Sequence, residues 1–385
     1  MDWNLISIII FYIIVALFFI KNRKRIERQG IFILYRTKRG LNFLTRLAKH
    51  ERVWRTFGKL SIFVGFGGII FILALLTQKA IEILTEPAIE AGVALAIPGV
   101  RVPGSPIFIP FWYGIIALIV VLLVHEGCHG LVAKAHGLKI KSAGIGLLTF
   151  LPLAFVEPDE KQLSKAPLKT RLSVYGAGPM ANFVTALIIL LVSAAIAPVA
   201  SSAFEFTGME VVEVKEGFPA DLAGLEVGDN IIGVNDKASL DVINFSKEMD
   251  KIAPGETVKI DTEEGSFYVE TIPGPENASQ AYLGISFVQI KDIKEDVYAN
   301  FGKLPWALIY LLQLFNWIFI LNIGIGAINL LPLGPIDGGR MLKDTLEEKM
   351  KNKKLVRGIV RTISLASLFL LIINILGPYI MSNIY

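Results

Sequence analysis

Long parts of this chain contain no charge at all, and cysteine and histidine are almost missing from the rest. Among 385 residues there are one cysteine and four histidines, while 53% of the residues are hydrophobic. A single thiol excludes an intrachain disulfide, and with it the small stapled scaffolds of secreted proteins. Aspartate, glutamate, lysine and arginine are absent from 3–20, 60–78, 102–124, 172–204, 304–336 and 362–385. Mostly apolar runs of roughly 18 residues or more can cross a hydrocarbon core of about 30 Å as helices. Their number excludes an ordinary water-soluble domain and predicts a polytopic α-helical membrane protein with six transmembrane helices. Internal repeats and low-complexity tracts are missing too. So is the pattern of a cleaved secretory signal, in which positive charge precedes the apolar run and a small-residue site follows it. Here the charge follows the first run, which predicts an uncleaved first helix with its N-terminus outside the cell.

The charges that are present set an orientation. Residues 21–59 carry 13 Lys and Arg against two Glu, and residues 340–361 carry eight basic against three acidic residues. Short basic loops stay in the cytoplasm, so both segments are expected there, and neither needs nucleic acid as a partner to explain it. Between 205 and 303 the signs are interspersed. Strand patterns appear with the turn signals Asn235-Asp236 and Pro254-Gly255, while Val242, Phe245, Met249 and Ile252 recur at helical spacing. This reads as a soluble α+β domain of about a hundred residues, extracytoplasmic by the helix count. The expected organisation is 1–204 with four spans, the inserted domain at 205–303, and 304–385 with two spans, both termini outside. Residues 138–152 are apolar, rich in glycine and proline, and too short to span. They read as a re-entrant or interfacial loop, allowed at membrane depth only where protein or a watery cavity covers the backbone.

Chemistry concentrates at the end of the third run, in His125-Glu126-Gly127-Cys128-His129. On a helix, residues four apart share a face and lie about 6 Å apart along the axis. Two imidazoles so placed can grip one metal ion, with Glu126 as base toward a metal-bound water. Ionisable groups at the end of a membrane-length apolar run are costly to keep there. The plainer alternative is a helix end emerging into water. Cys128 reads as a small apolar filler, since a thiolate ligand there would crowd the histidine pair. A catalytic site needs a third protein ligand and one open position. A metzincin would have glycine at 132 and histidine at 135. Val132 and Ala135 stand there instead, leaving His136 one residue out of register as an interfacial histidine. Glu157 is one carboxylate candidate, at the border of a charged loop. Asp337 is the better one, because it follows a run that crosses in the same direction as the third and so reaches a similar depth. Asn329, Pro332 and Pro335 precede it; proline deprives a helix of hydrogen bonds, so this segment is expected to be partly unwound, with Asp337 capping the span.

These residues together resemble the site-2 proteases, a family of intramembrane zinc metalloproteases. The matching stretches are His125 to His129, Gly178-Pro179-Met180-Ala181-Asn182, and Asn329 to Gly338, in the family's order. Ala154-Phe155-Val156-Glu157-Pro158 is similar to the archaeal and eukaryotic-like branch, and Ile336 stands where many members have leucine. The resemblance implies one zinc ion, Zn2+, on His125, His129 and Asp337, with Glu126 as general base. It implies Asn182 at the substrate carbonyl or its oxyanion. It further implies a multi-pass protein of the cell membrane whose active site lies toward the cytoplasmic side of the lipid bilayer. The substrate is then a single-pass transmembrane protein, cut after a prior extracytoplasmic cleavage (regulated intramembrane proteolysis).

The inserted domain resembles a PDZ domain, through Gly217-Phe218-Pro219-Ala220, Ala223-Gly224-Leu225 and Gly228-Asp229-Asn230-Ile231-Ile232. Tyr282-Leu283-Gly284-Ile285 looks like its carboxylate-binding loop, in circularly permuted order. That implies either capture of a chain terminus by backbone amides while the peptide adds a strand, or a steric filter that binds no tail. Two other functions fit parts of the chain. A PDZ membrane adaptor with a vestigial metal site would have no need of Glu126. A prenyl-protein peptidase would have no need of the inserted domain or the Asp337 segment. The sequence sets no oligomeric state.

Overall fold

Apolar length dictates the first level of structure. The computed structural model describes residues 3–30, 32–85, 91–95, 97–102, 105, 107–149, 151–275 and 277–381. Helix α1 (Trp3–Lys21) leads through strands β1 (Ile26–Gln29) and β2 (Phe32–Arg36) and a short α2 (Lys38–Leu47) to α3 (Glu51–Thr85). Helix α4 (Phe111–Ala135) is followed by β3 (Ile140–Leu148), β4 (Leu151–Pro158), the short α5 (Glu160–Lys165) and α6 (Leu168–Ser202). The inserted region holds β5 (Phe204–Val214), α7 (Pro219–Leu222), β6 (Asn230–Val234), β7 (Lys237–Ala238) and α8 (Val242–Met249). It continues with β8 (Thr257–Thr262), β9 (Ser266–Glu270), β10 (Ile272–Pro273), β11 (Ala281–Tyr282), β12 (Ile285–Ile293) and α9 (Glu295–Phe301). The chain closes with α10 (Leu304–Asn329), α11 (Asp337–Lys349) and α12 (Lys353–Met381). Among the described residues six helices are long and apolar enough to cross a membrane, namely α1, α3, α4, α6, α10 and α12. Two compact units result, Met1–Ala194 with Leu311–Tyr385, and Ala195–Tyr310.

In the first unit α3 shows how a membrane helix spends its faces. Gly58, Ser61, Gly65, Ile69, Ile72, Leu76, Ala80 and Ile83 recur every three or four residues and are buried. That stripe packs against α4 and α12. Leu60, Phe63, Ile70 and Phe71 of the same helix are exposed, which suits lipid rather than water. With 35 residues α3 is about 52 Å long, well beyond the 60–78 run expected to span.

Three expectations are corrected. The third helix starts after Pro110 and continues through both motif histidines to Ala135, so the motif lies inside a helix rather than at its end. The fifth helix stops at Asn329, and residues 330–336 are irregular around Pro332 and Pro335. Asp337 therefore opens a new helix instead of capping the span, because two residues without an N–H cannot extend α10. Residues 138–152 are not a loop. They supply β3 and the first two residues of β4, joined to β1 and β2 in an antiparallel sheet of order β1-β2-β3-β4, which satisfies the backbone by pairing. The last run ends in residues 382–385, which lie outside the described residues.

The second unit has its own core. Its sheet runs β12-β5-β6-β8-β9, with β7 paired to β6. Met209, Val211, Ile231, Val258, Ile260 and Val269 are fully buried within it. Asn235 and Asp236 both take positive φ, the two-residue hairpin that Asn-Asp predicts between β6 and β7. Asp241 caps α8 by accepting the Asn244 N–H at 2.9 Å. Phe245 and Ile252 face the core as their spacing predicts, but Val242 is exposed.

Helices α3 and α6 meet where Gly176 stands against the Ser61 carbonyl. A Cβ on Gly176 would come within 2.5 Å of that backbone oxygen, which cannot rotate away. Gly176→Ala should therefore cost about 1–3 kcal/mol, as overpacking does, and lower the thermal midpoint in detergent. Gly67→Ala, at a position with nothing within 4 Å, should leave the midpoint unchanged.

Candidate metal centre

Helices α4 and α6 pass each other in opposite directions, and one face of α6 holds both motif histidines from behind. Val174, Gly178 and Asn182 are spaced by four, so they line one stripe of α6. The Val174 carbonyl is 2.7 Å from His129 Nδ1, which therefore carries the proton and donates it. The Asn182 amide is 3.1 Å from His125 Nδ1. A half-turn of that amide presents Oδ1, otherwise without a partner, to a protonated Nδ1. With the amide so turned, both rings carry the proton on Nδ1 and leave Nε2 unprotonated beside Gly178. Gly178 makes room for them, since a Cβ there would stand 2.4 Å from His129 Nε2 and 2.7 Å from His125 Nε2.

The third group arrives from α11. Asp337 Oδ2 lies 3.2 Å from His125 Nε2 and 3.3 Å from His129 Nε2. It is buried and has no hydrogen-bond donor. Two nitrogen lone pairs facing a carboxylate oxygen repel unless a cation stands among them. Tetrahedral ligands about 2.0–2.1 Å from one ion are about 3.3–3.4 Å apart, close to the separation of Asp337 Oδ2 from each imidazole, and the three atoms all lie within 4.8 Å of one another. His125, His129 and Asp337 form the group able to hold a metal ion among the described residues. These three fit zinc.

Around them is a cavity of about 590 Å³, lined also by Glu126, Arg36, Arg340 and residues 153–158 of β4. Glu126 Oε2 accepts the Val156 N–H at 3.3 Å, so β4 and the candidate base are tied together. Glu157, the other carboxylate candidate, is engaged elsewhere. It takes Arg36 Nη1 at 2.5 Å and the Ser142 hydroxyl at 2.6 Å, while Arg36 also reaches Glu27 at 2.8 Å. Cys128 packs in the apolar cluster of Leu44, Leu131 and Val156. His136 ends α4, remote from the metal group. Asn182, expected at the substrate carbonyl, is fully buried behind His125.

In the second unit Tyr282, Leu283, Gly284 and Ile285 line a groove of about 290 Å³ with Phe245 and Met249. The Leu283 and Gly284 carbonyls accept the N–H groups of Ala220 and Lys215, at 3.0 and 2.9 Å. The Gly217-Phe218-Pro219-Ala220 signature therefore braces the loop. Lys215 Nζ donates to the Tyr282 hydroxyl at 2.8 Å, and this bond raises the lysine above its usual pKa.

The model of peptidase family M50 matches residues 113–372, from α4 into α12. The chain belongs to this family, that of the site-2 proteases. It is accordingly a multi-pass membrane metallopeptidase. An uncharacterized protein of Methanocaldococcus jannaschii is 30% identical over 92% of this chain and 88% of its own length. Zinc metalloprotease RasP of Shouchella clausii is 26% identical over 49% of this chain and 53% of its own, so the chain spans about half of that relative. Among solved structures, the PDZ domain of the SdrC-like protein from Listeria monocytogenes matches 22% of this chain and 90% of its own, at 24% identity and a TM-score of 0.20.

The stripe on α6 places the Asn182 amide against His125 Nδ1. Asn182→Ala should weaken zinc affinity about ten- to a hundredfold, the usual effect of losing such a partner. Competition with a calibrated chelator measures this. Asp337→Ala should lose bound zinc altogether, while Glu157→Ala should retain it.

Proposed function

We propose that the chain is an intramembrane zinc endopeptidase that cuts a transmembrane segment of a single-pass protein. The observation that carries this reading is the convergence of His125, His129 and Asp337 with Glu126 in one cavity of a membrane unit. Zinc, when bound, would polarise the scissile carbonyl and lower the pKa of a water toward neutrality. Glu126 takes the proton of the attacking water and delivers it to the departing amine. The Val156 N–H keeps its carboxylate turned into the cavity. Asn182 and the Val174 carbonyl hold the two imidazoles in register, so Asn182 acts through His125 rather than on the carbonyl.

A helical substrate hides its carbonyls in its own hydrogen bonds and must unwind before it is cut. Strand β4 is the free edge of its sheet and forms a wall of the catalytic cavity. An unwound segment can pair with that edge, recovering backbone hydrogen bonds where the bilayer offers none. Helix-breaking residues in the substrate lower the cost of this step.

By the basic segments at 21–59 and 340–361, both termini and the second unit lie outside the cell, with the metal group toward the cytoplasm. We read the second unit as a PDZ domain whose groove receives the chain end left by an earlier extracytoplasmic cut. Peptides with an apolar last residue and a free carboxylate should then bind the full-length protein more tightly than their amides. Phe245→Asp should remove this preference. Equal binding of acid and amide by the unaltered protein leaves only a steric filter.

Glu126→Gln separates an enzyme from a scaffold. The variant should insert, fold and keep its zinc, yet lose about a hundred- to ten-thousandfold in cleavage of a transmembrane substrate in liposomes. Undiminished cleavage would exclude Glu126 as the base, and loss of zinc would make it structural.

A further inference from the structure

Two guanidinium groups face the catalytic cavity, and their circumstances differ. Arg36 is consumed by Glu27, Glu157 and Ser142. Arg340 is not. Its Nε donates to the Pro335 carbonyl at 3.0 Å, which fixes the plane of the fork, and its carbon lies 5.9 Å from the centre of the Tyr175 ring. Among the described residues no carboxylate pairs with its two Nη groups. Arg340 follows the ligand Asp337 by one helical turn on α11, so both project from one face. It also lines a second cavity, of about 630 Å³, which shares Tyr175, Pro335 and Glu160 with the first. In that second cavity Arg171 is spent on Asp344 and Glu348, leaving Arg340 as the free fork at the junction.

We infer that Arg340 is a product-binding residue, which receives the α-carboxylate formed at the metal and draws it toward the second cavity. This rests on the proposed peptidase reading. Water adds across the peptide C–N bond; its oxygen stays on the carbonyl carbon, and the nitrogen takes a proton and leaves as an amine. The other fragment ends in a carboxylic acid, ionised near neutral pH. That anion would remain against the metal unless another cationic group competed for it. An unpaired, planar fork at the mouth of a neighbouring cavity matches a carboxylate in charge and in geometry. Glu160 in the shared wall stays unpaired with Arg340 and offers the departing amine an opposite charge.

The test uses full-length protein loaded with cobalt in place of zinc, whose visible spectrum reports ligands at the metal. N-acetyl-leucyl-leucine and its amide are titrated, with a hydroxamate of the same peptide as a control that binds the metal directly. The acid should bind more tightly than the amide. Arg340→Gln should lose about ten- to a hundredfold in affinity for the acid, the usual value of a charge-assisted pair. Its affinity for amide and hydroxamate should not change. Arg340→Lys, which keeps the charge, should retain most of the affinity for the acid. Lys349→Gln, on the same helix but lining neither cavity, should behave as the unaltered protein. Equal affinity of Arg340→Gln and unaltered protein for the acid overturns the inference, as does loss of hydroxamate binding in both Arg340 variants, which would make the residue structural. If the unaltered protein shows the acid preference but cleaves no transmembrane substrate, the peptidase reading fails while the carboxylate site stands.

Discussion

Two imidazoles can aim at one ion only if each is gripped from behind and nothing stands between them and the third ligand. Here both conditions are met by one face of α6, where a carbonyl, a missing side chain and an amide follow at intervals of one turn. A methyl group on Gly178 would occupy the volume next to both Nε2 atoms, so the helices could not approach and Asp337 would lose its partners. The contact of α4 with α6 thus comes before the metal group, and the metal group before any chemistry.

Several polar groups around the centre are satisfied within the protein. Ser61 donates to backbone carbonyls between α3 and α6, and Asn374 donates to the Leu76 and Leu370 carbonyls. Arg36 and Glu157 neutralise each other at the cavity wall. Asp337 Oδ2, facing two imidazole nitrogens, is the unpaired carboxylate atom among the buried atoms without a partner, which include the Oδ1 atoms of Asn182, Asn322 and Asn374. A buried carboxylate oxygen without a donor is costly, and a divalent cation among three such atoms removes the cost.

Much of this could be read from the residues alone. Uncharged runs marked the six long helices, and the spacing of His125 and His129 marked half the metal group, because both signals rest on local periodicity. Pro332 and Pro335 announced the break before Asp337 for the same reason. What stayed hidden depends on partners far away in sequence. Strands β3 and β4 contain Gly144, Gly146, Pro152 and Pro158, which weaken any strand signal, and β3 gains a partner in β2 from more than a hundred residues upstream. Glu157 looked available because nothing local shows that Arg36 reaches it. The contact of Asn182 with His125 also escaped, although Val174, Gly178 and Asn182 at intervals of four were a readable stripe facing the motif.

The metal group has its parts on either side of the inserted unit, with His129 before it and Asp337 after it. A ribosome adding about 5–20 residues per second needs about 10–40 s to travel from one to the other. Throughout that interval the nascent chain holds His125 and His129 but not the third member of the group. The order of synthesis therefore completes the metal group only after the inserted unit has already left the ribosome.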